Sequence, residues 1–519
     1  MQNIPSIRNL LLLIIFGIML LSCEKILDVP PEDVLEEKNA FLDDFSARSS
    51  VLGIYSLLQE VTEQLVILGE LQGDLITVTE NADQDLIQVN EHNADVNNRY
   101  ADPSNFFKII VNCNEVIHKI HRVRETDIKV TQRDLNSYLA EVILIRAWCY
   151  FKMVQIYGEV PYFEEPLSDY EASLTLTDKL NTLQTEDYVL DTILSQIVSI
   201  DTFDLNMDEE SPYFALRMNK FINWALQGEI YLWRNDYSFA RRAYSRVMNI
   251  IAAEGWSGTY RLPWVNTYSF NYGNWKDMFR FDFGGETFEE QSIFVIPFSK
   301  YYNQQHSLQR MFGYGEGGDY LMRPTDYAIN NFQAQKIIKW EVQTEHIAGT
   351  PGDLNRGKGV SYDSIDGYPV VTKYALFKDP FDDDAGVFIY RAGEYHLGTC
   401  EAYCRSGQSA TAMEHLNQGL LYNSAWGMGI RTRANVHIIA ADDPRDTEEV
   451  ENIILTERAL ELAFEGHRWF DLVRFARHKE SPAFLADMVA EKFTDPVKRE
   501  QIRARLMDEK NWFLPLKLD

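Results

Sequence analysis

The chain has 519 residues, 45% of them hydrophobic, and a formal charge of −29 from 78 acidic against 49 basic side chains. That length supports a large core, as one domain or as two closely packed ones. The acidic balance excludes a nucleic-acid partner, which needs clustered Lys and Arg, and argues against docking on anionic lipid through charge.

Arg8 is the only charge before the apolar run Leu10–Leu21. The run has the length of a signal-peptide h-region and is too short to span a bilayer. Leu20-Leu21-Ser22-Cys23 then reads as a bacterial lipobox, so residues 1–22 are expected to be a lipoprotein signal peptide and Cys23 the lipidated first residue. The remaining 519 − 22 = 497 residues are tethered rather than spanning, since no other apolar stretch is long enough to cross a membrane. Residues 24–38 are acidic, contain Pro30 and Pro31 and lack periodicity; with Cys23 they form an extended tether (23–38).

Apolar spacings of three and four predict amphipathic helices over 47–58, 106–120 and 135–156, the last stopped by Gly158 and Pro161. Between the first two lies a polar loop, Asp74 to Tyr100. Two helix pairs follow, 221–233 with 239–251 and 390–404 with 410–422, each a helix–short turn–helix unit with small residues near the turn (Gly228, Ala240, Ala402, Ala412). Pairs of this size resemble tetratricopeptide units. Residues 256–389 have a different texture, rich in Gly, Asn, Asp and aromatics, with strand-like runs at 292–297 and 368–373. Near the end, Asp446-Thr-Glu-Glu449 has capping-box spacing, Val450 to Phe464 is amphipathic, Gly466 is expected to break the helix, and 467–477 starts another. The fold class expected is mainly α: a helical body over 39–255 and 390–519, with a loop-rich insertion at 256–389 carrying minor β structure.

The charges at Glu457, Arg458, Glu461, Glu465 and Arg468 read as an ion-pair network between helices, with Arg458 in reach of Glu461, rather than as a catalytic set. No His-Glu-x-x-His, Gly-x-Ser-x-Gly or Walker loop occurs, and the glycines of Phe312–Tyr320 lack a strand–helix frame. Cys113, Cys149 and Cys400 lie in apolar helical patterns as small hydrophobes; Cys400 and Cys404, one turn apart, lack a second ligand pair. No catalytic residue, metal ligand or cofactor is therefore expected; Ca²⁺ at Asp382-Asp383-Asp384 is a lesser alternative to a solvated acidic turn. Binding has more support. From Trp256 to Tyr320, 18 of 65 residues are aromatic, against 13% for the chain. Aromatic faces pack on the C–H faces of sugar rings while polar neighbours bond the hydroxyls. Most of these rings, Trp275 among them, belong to the interior; Trp264, Tyr301, Tyr302, Tyr314 and Tyr320 have polar or Gly-rich neighbours and are the surface candidates, with Asn81, Asp83 and Arg99 from the second polar loop.

Several segments together resemble the SusD/RagB family of surface lipoproteins: the lipobox Cys followed by ILDVPPEDV and FLDDFSARSSVLGIYSLLQ, then EVILIRAWCYFKMVQIYGEVPYF (141–163), both helix pairs, ILTERALELAFEGHRWFDLVRFARH (454–478), and the closing FLPLKLD. They run in order over nearly the whole chain. Two departures stand out: no Asp-x-Arg pair follows 327–332, and 420–430 separates the Asn417 helix from Arg431. The resemblance implies a SusD-like domain over 39–519, a place on the surface of a Gram-negative outer membrane, and a SusC-like TonB-dependent transporter on which the protein sits as a hinged lid. The ligand expected is an oligosaccharide or polysaccharide fragment. The same architecture binding peptides is the alternative; a surface hydrolase and a ligand-free helical scaffold rank below it.

Overall fold

The computed structural model describes residues 41–167, 170–203, 205, 214–254, 279, 292–335, 352–353, 355–375, 382–418, 429–434, 436 and 446–517. The signal peptide, Cys23, the tether and Trp256, Trp264 and Trp275 lie outside the described residues.

The N-terminal half begins with α1 (Asp44–Leu57) and α2 (Gln59–Leu71), followed by β1 (Ile76–Val78), α3 (Gln84–Asn90), α4 (Ser104–Lys119) and α5 (Val123–Thr126). Joined end to end, α1 and α2 are 28 residues long and apolar enough to cross a membrane by composition, a stretch the sequence reading overlooks. Val51, Ile54, Val61, Ile67, Leu68 and Leu71 are buried in the main core, so the pair serves as interior helices. The segment expected to be a polar loop, 74–100, carries β1 and α3, with loop and turn before, between and after them.

The central helix α6 (Gln132–Tyr157) is set by its ends. Thr131 Oγ1 accepts from the Asp134 N–H at 3.2 Å and Asp134 Oδ2 accepts from the Thr131 N–H at 2.8 Å, a reciprocal cap. Gly158, at φ +76°, ends it. The two-residue strands β2 (Val160–Pro161) and β3 (Leu183–Gln184) pair across α7 (Tyr170–Leu180) and lead to α8 (Glu186–Ser199).

Two helix pairs then stack in tetratricopeptide fashion: α9 (Lys220–Trp233) with α10 (Tyr237–Glu254), and, after the intervening segment, α13 (Ala392–Arg405) with α14 (Ser409–Gln418). Tyr244 of α10 is the key between them. An added Cβ would lie 2.6 Å from its ring at Gly228 and 2.7 Å at Gly398, so a glycine on each flanking helix makes room for one ring. The expected start at Tyr390 is two residues early, because Tyr390 and Arg391 still belong to a strand.

The intervening segment contains β4 (Ser292–Ile296), α11 (Leu308–Phe312), β5 (Met322–Pro324), α12 (Asp326–Gln333), β6 (Tyr362–Ile365), β7 (Tyr368–Val371) and β8 (Val387–Arg391). Both strand-like runs are strands, though β7 ends at Val371 and Lys373 begins a 3₁₀ turn. The antiparallel pair β1–β5 ties the segment to the N-terminal half, β4–β8 pairs its two ends, and Phe294, Ile296 and Met322 enter the same core.

The closing helices are α15 (Ile430–Arg433), α16 (Thr447–Glu461), α17 (Arg468–His478), α18 (Pro482–Ala490) and α19 (Pro496–Leu506). Asp446 Oδ1 accepts from the Glu449 N–H at 2.7 Å, as the spacing predicts. Gly466 does not end α16, which stops at Glu461. Gly466 takes φ +90° in the turn beyond, pressed so closely on α2 that a Cβ at Gly69 would overlap its carbonyl.

Candidate functional site

The motif charges form a buried network. Glu461 pairs with Arg391 at 2.7 Å and Arg356 at 3.3 Å, Glu465 with Arg391 at 2.7 Å and Lys373 at 2.5 Å, and Glu457 with Arg356 at 3.1 Å and with Arg431. Arg458 does not reach along its own helix to Glu461; it crosses to Asp471 on α17 at 2.7 Å. Arg468 forks onto Asp74 at 2.6 and 2.8 Å. Against the penalty of burial, Arg458 and Arg474 hold the Asp471 carboxyl down to about 2. The network thus fastens α16, α17, β8 and the 353–373 segment together. An Asp–Arg pair does follow α12, at a spacing of three: Asp353 and Arg356, 2.5 Å apart.

The acidic run 382–384 is neither solvated nor arranged around a cation. Asp383 and Asp384 are buried; Asp383 pairs with Arg310 at 2.5 Å and Asp382 with Lys300 at 2.5 Å. Among the described residues, no group of His, Cys, Asp and Glu could hold a metal ion. Cys113, Cys149, Cys400 and Cys404 are free and buried, and burial pushes the Cys113 and Cys404 thiols up to about 12.

The surface candidates divide into three places. Tyr314 stacks on Tyr368 with ring centroids 4.2 Å apart and planes 18° from parallel. Tyr320 meets both edge-on, at 5.2 and 5.9 Å. Tyr320 is not a surface residue: it is 4% exposed, its hydroxyl donates to the Pro369 carbonyl at 3.0 Å, and its φ is +47°. What covers it is the loop before α3. The Thr79 hydroxyl donates to the Tyr320 carbonyl, and Asn81 Nδ2 donates to the Asp319 carbonyl at 3.2 Å. Asn81 is thus joined to the tyrosines. Partial burial, the Tyr368 hydroxyl, and the Asp366 and Glu80 charges raise the Tyr314 phenol above its ordinary value, which places an acidic rim around the rings.

Asp83 and Arg99 form a second place beside that loop. Asp83 Oδ1 caps α3 by accepting from the Leu86 N–H at 3.1 Å, and Oδ2 pairs with Arg99 at 2.7 Å. Burial works against it, but Arg99 and the Leu86 N–H hold the Asp83 carboxyl below its usual range. Arg99 also bonds Asp85 at 3.1 Å, so both residues have structural duties. Tyr301 and Tyr302 make the third place, a 3₁₀ turn (Lys300–Tyr302). They are 85% and 70% exposed and make no ring contact with the other tyrosines among the described residues.

Tyr368 was missed in the sequence, read only as strand. Its signal was the adjacent Asp366-Gly367 turn, with φ +52° and +88°, which makes β6–β7 a tight hairpin and presents Tyr368 at its tip. Within the tyrosine group Tyr368 is exposed, Tyr314 half-buried and Tyr320 buried. A cleft of about 1010 Å³ lies elsewhere, against Tyr157 and Phe513, and none of the predicted site residues lines it.

A mainly helical body with tetratricopeptide-like pairs, closed by a network of internal motif charges, defines a class of helical scaffold. The comparisons name the class. A family model described as "Starch-binding associating with outer membrane" matches residues 27–202, and one described as "SusD family" matches 381–518. SusD-like protein P38 of Formosa agariphila is 25% identical over 501 residues, covering 91% of this chain and 92% of that protein. Two solved structures share the fold: a SusD superfamily protein from Bacteroides vulgatus ATCC 8482 (TM-score 0.67, 15% identity, 91% of this chain and 96% of that one) and the surface glycan-binding protein A from Bacteroides uniformis (TM-score 0.64, 20% identity, the same coverages). The chain belongs to the SusD/RagB family, a class associated with the outer membrane.

Proposed function

We propose that the mature chain, lipidated at Cys23 and tethered to the cell surface of a Gram-negative outer membrane, captures oligosaccharides or polysaccharide fragments and passes them, as a lid, to a SusC-like TonB-dependent transporter. The lipobox at Cys23, the outer-membrane description of the matching family model and the glycan-binding name of the B. uniformis neighbour support this reading. The observation that carries it is the Tyr314–Tyr368 stack, with Tyr320 edge-on and Asn81 alongside. The outer face of such a stack suits a sugar ring, and the amide and rim carboxylates suit its hydroxyls. Trp264, Tyr301 and Tyr302 are further ring contacts in this proposal, and Asp83 and Arg99 hold the loop that carries Asn81. The protein binds its ligand without transforming it: the carboxylates with the most catalytic look are each engaged by Arg or Lys.

The test is calorimetry of residues 24–519 against defined oligosaccharides and mixed peptides. Saturable binding to a glycan, weakened at least about tenfold by Tyr314→Ala with Tyr368→Ala and leaving the sugar uncleaved by chromatography, is the expected result. Cleavage would make the protein a hydrolase. The peptide reading has one observation in its favour, the acidic rim of Glu80 and Asp366; salt-sensitive binding of basic peptides alone would establish it. Native purification of the full chain is expected to retain a large barrel protein, and its consistent absence would remove the lid.

A further inference from the structure

The polar groups around the Tyr314–Tyr368 stack are unequal in what they have left for a ligand. The donors are committed within the protein. Asn81 Nδ2 donates to the Asp319 carbonyl at 3.2 Å, the Tyr320 hydroxyl donates to the Pro369 carbonyl at 3.0 Å, and the Tyr314 hydroxyl is turned to that of Tyr368. The cations are committed too. Arg99 is held by Asp83 at 2.7 Å and Asp85 at 3.1 Å, Arg310 by Asp383 at 2.5 Å, and Arg323 by the Pro324 carbonyl at 3.1 Å with Asp326 at 3.6 Å; Lys358 faces Asp363 at 4.0 Å. The acceptors are not. Glu80 precedes Asn81, Glu316 and Asp319 lie between Tyr314 and Tyr320, and Asp366 lies in the hairpin turn two residues before Tyr368. All are exposed, and their carboxylates have neither an ion pair nor a hydrogen bond among the described residues. The Asn81 amide oxygen likewise has no partner there.

We propose that the tyrosine site sorts glycans by charge: it takes chains whose hydroxyl groups supply the donors and rejects those that carry carboxylate or sulfate groups, with Glu80, Glu316, Asp319 and Asp366 as the specificity-determining residues. This rests on the glycan reading above and adds to it the class of glycan. A sugar hydroxyl is donor and acceptor at once, so it can turn its proton to a rim carboxylate or to the Asn81 oxygen. A uronate or sulfate ester offers acceptors only. At this rim it meets like charge and finds no donor to replace the water it gives up, and both costs grow with each charged residue along the glycan. Proteins hold such groups with the two-pronged fork of an arginine. Arg99, Arg310 and Arg323 are each turned to an aspartate of the protein instead. The formal charge of −29 acts in the same direction at longer range.

The experiment is calorimetry of residues 24–519 at about 10 mM salt, where the screening length is about 30 Å. The ligands are maltohexaose, cellohexaose, mannohexaose and laminarihexaose, each beside its counterpart oxidised from alcohol to carboxylate at C6, so that the members of a pair share linkage and length. At least one neutral hexasaccharide is expected to bind, and its carboxylated counterpart to bind at least about tenfold more weakly, with the gap narrowing as salt rises to about 0.5 M. Glu80→Gln combined with Glu316→Gln and Asp366→Asn changes only exposed side chains and should raise the affinity of the carboxylated member about tenfold. Carboxylated sugars that bind as tightly as neutral ones, or a gap that neither salt nor the rim variant narrows, would overturn the charge selection and leave the glycan reading standing. Silence from every sugar in both series would remove the glycan reading itself, and this inference with it.

Discussion

Glu70 lies at the junction on which the C-terminal motif turns, and its protonation is open to direct test. It is 1% exposed. Its Oε1 accepts from the Gly466 N–H at 2.8 Å and the His467 N–H at 3.1 Å, while Oε2 is buried with no partner among the described residues. Burial outweighs the backbone N–H groups and pushes the carboxyl from 4.5 up to about 8. A raised carboxyl pKa means the folded state holds a proton that the unfolded chain releases. The associated stability is complete below pH 4.5 and is lost as pH rises to 8. By linkage the loss is about 3 kcal/mol at pH 7 and approaches about 5 kcal/mol above pH 8. Glu70→Gln keeps the shape and the Oε1 acceptor but cannot ionise. Urea unfolding of residues 24–519 at pH 5 and pH 8 should show the variant near wild type at the lower pH and more stable by several kcal/mol at the higher. Lys492, lowered by burial to about 7, titrates in the same window but is common to both proteins and cancels. Parallel pH profiles, or a variant less stable at pH 8, would refute the reasoning.

Two structural predictions accompany it. Glu461→Ala leaves Arg391 and Arg356 short of a carboxylate in the interior and should cost about 3–5 kcal/mol, whereas Arg99→Ala, from an exposed pair, should cost about 1 kcal/mol or less; equal losses in urea unfolding would show that the network does not hold the helices. Gly398→Ala puts a methyl into the Tyr244 ring and should cost about 1–3 kcal/mol, with much of the loss recovered in combination with Tyr244→Leu; simple additivity of the two would mean the ring does not set the helix spacing.

The helical plan was legible because amphipathic helices declare themselves. α6 was expected over 135–156 and runs 132–157; α9 was expected from residue 221 and begins at 220. α2 escaped because its residues are buried on nearly every side, from Val61 to Leu71, and a helix apolar all round has little period to read. α18 and α19 escaped as short helices, each opening on a Pro at its first turn. The end of α16 was misplaced because its stop is tertiary. Gly466 is needed where α2 crosses, not where α16 finishes.

The site was less legible because exposure is decided by distant chain. Tyr320 follows a Gly-rich stretch and Asp319, which suggests solvent, yet Thr79 and Asn81 lie across its backbone from far earlier in the sequence. Tyr368 looked like one ring in a strand until the hairpin brought it onto Tyr314. The reverse holds for charge: Glu457, Glu461 and Glu465 look chemical in sequence, but each meets a cation from a segment that periodicity does not bring near. With those charges committed to architecture, the proposed function leaves recognition to neutral groups, the tyrosines and amides. Neutral groups bind through faces and paired hydrogen bonds rather than through field. Binding at the tyrosine stack should therefore change little between low and high salt when the ligand is a sugar, and fall steeply when it is a basic peptide drawn by the acidic rim, so a salt titration of whichever ligand binds separates the two readings.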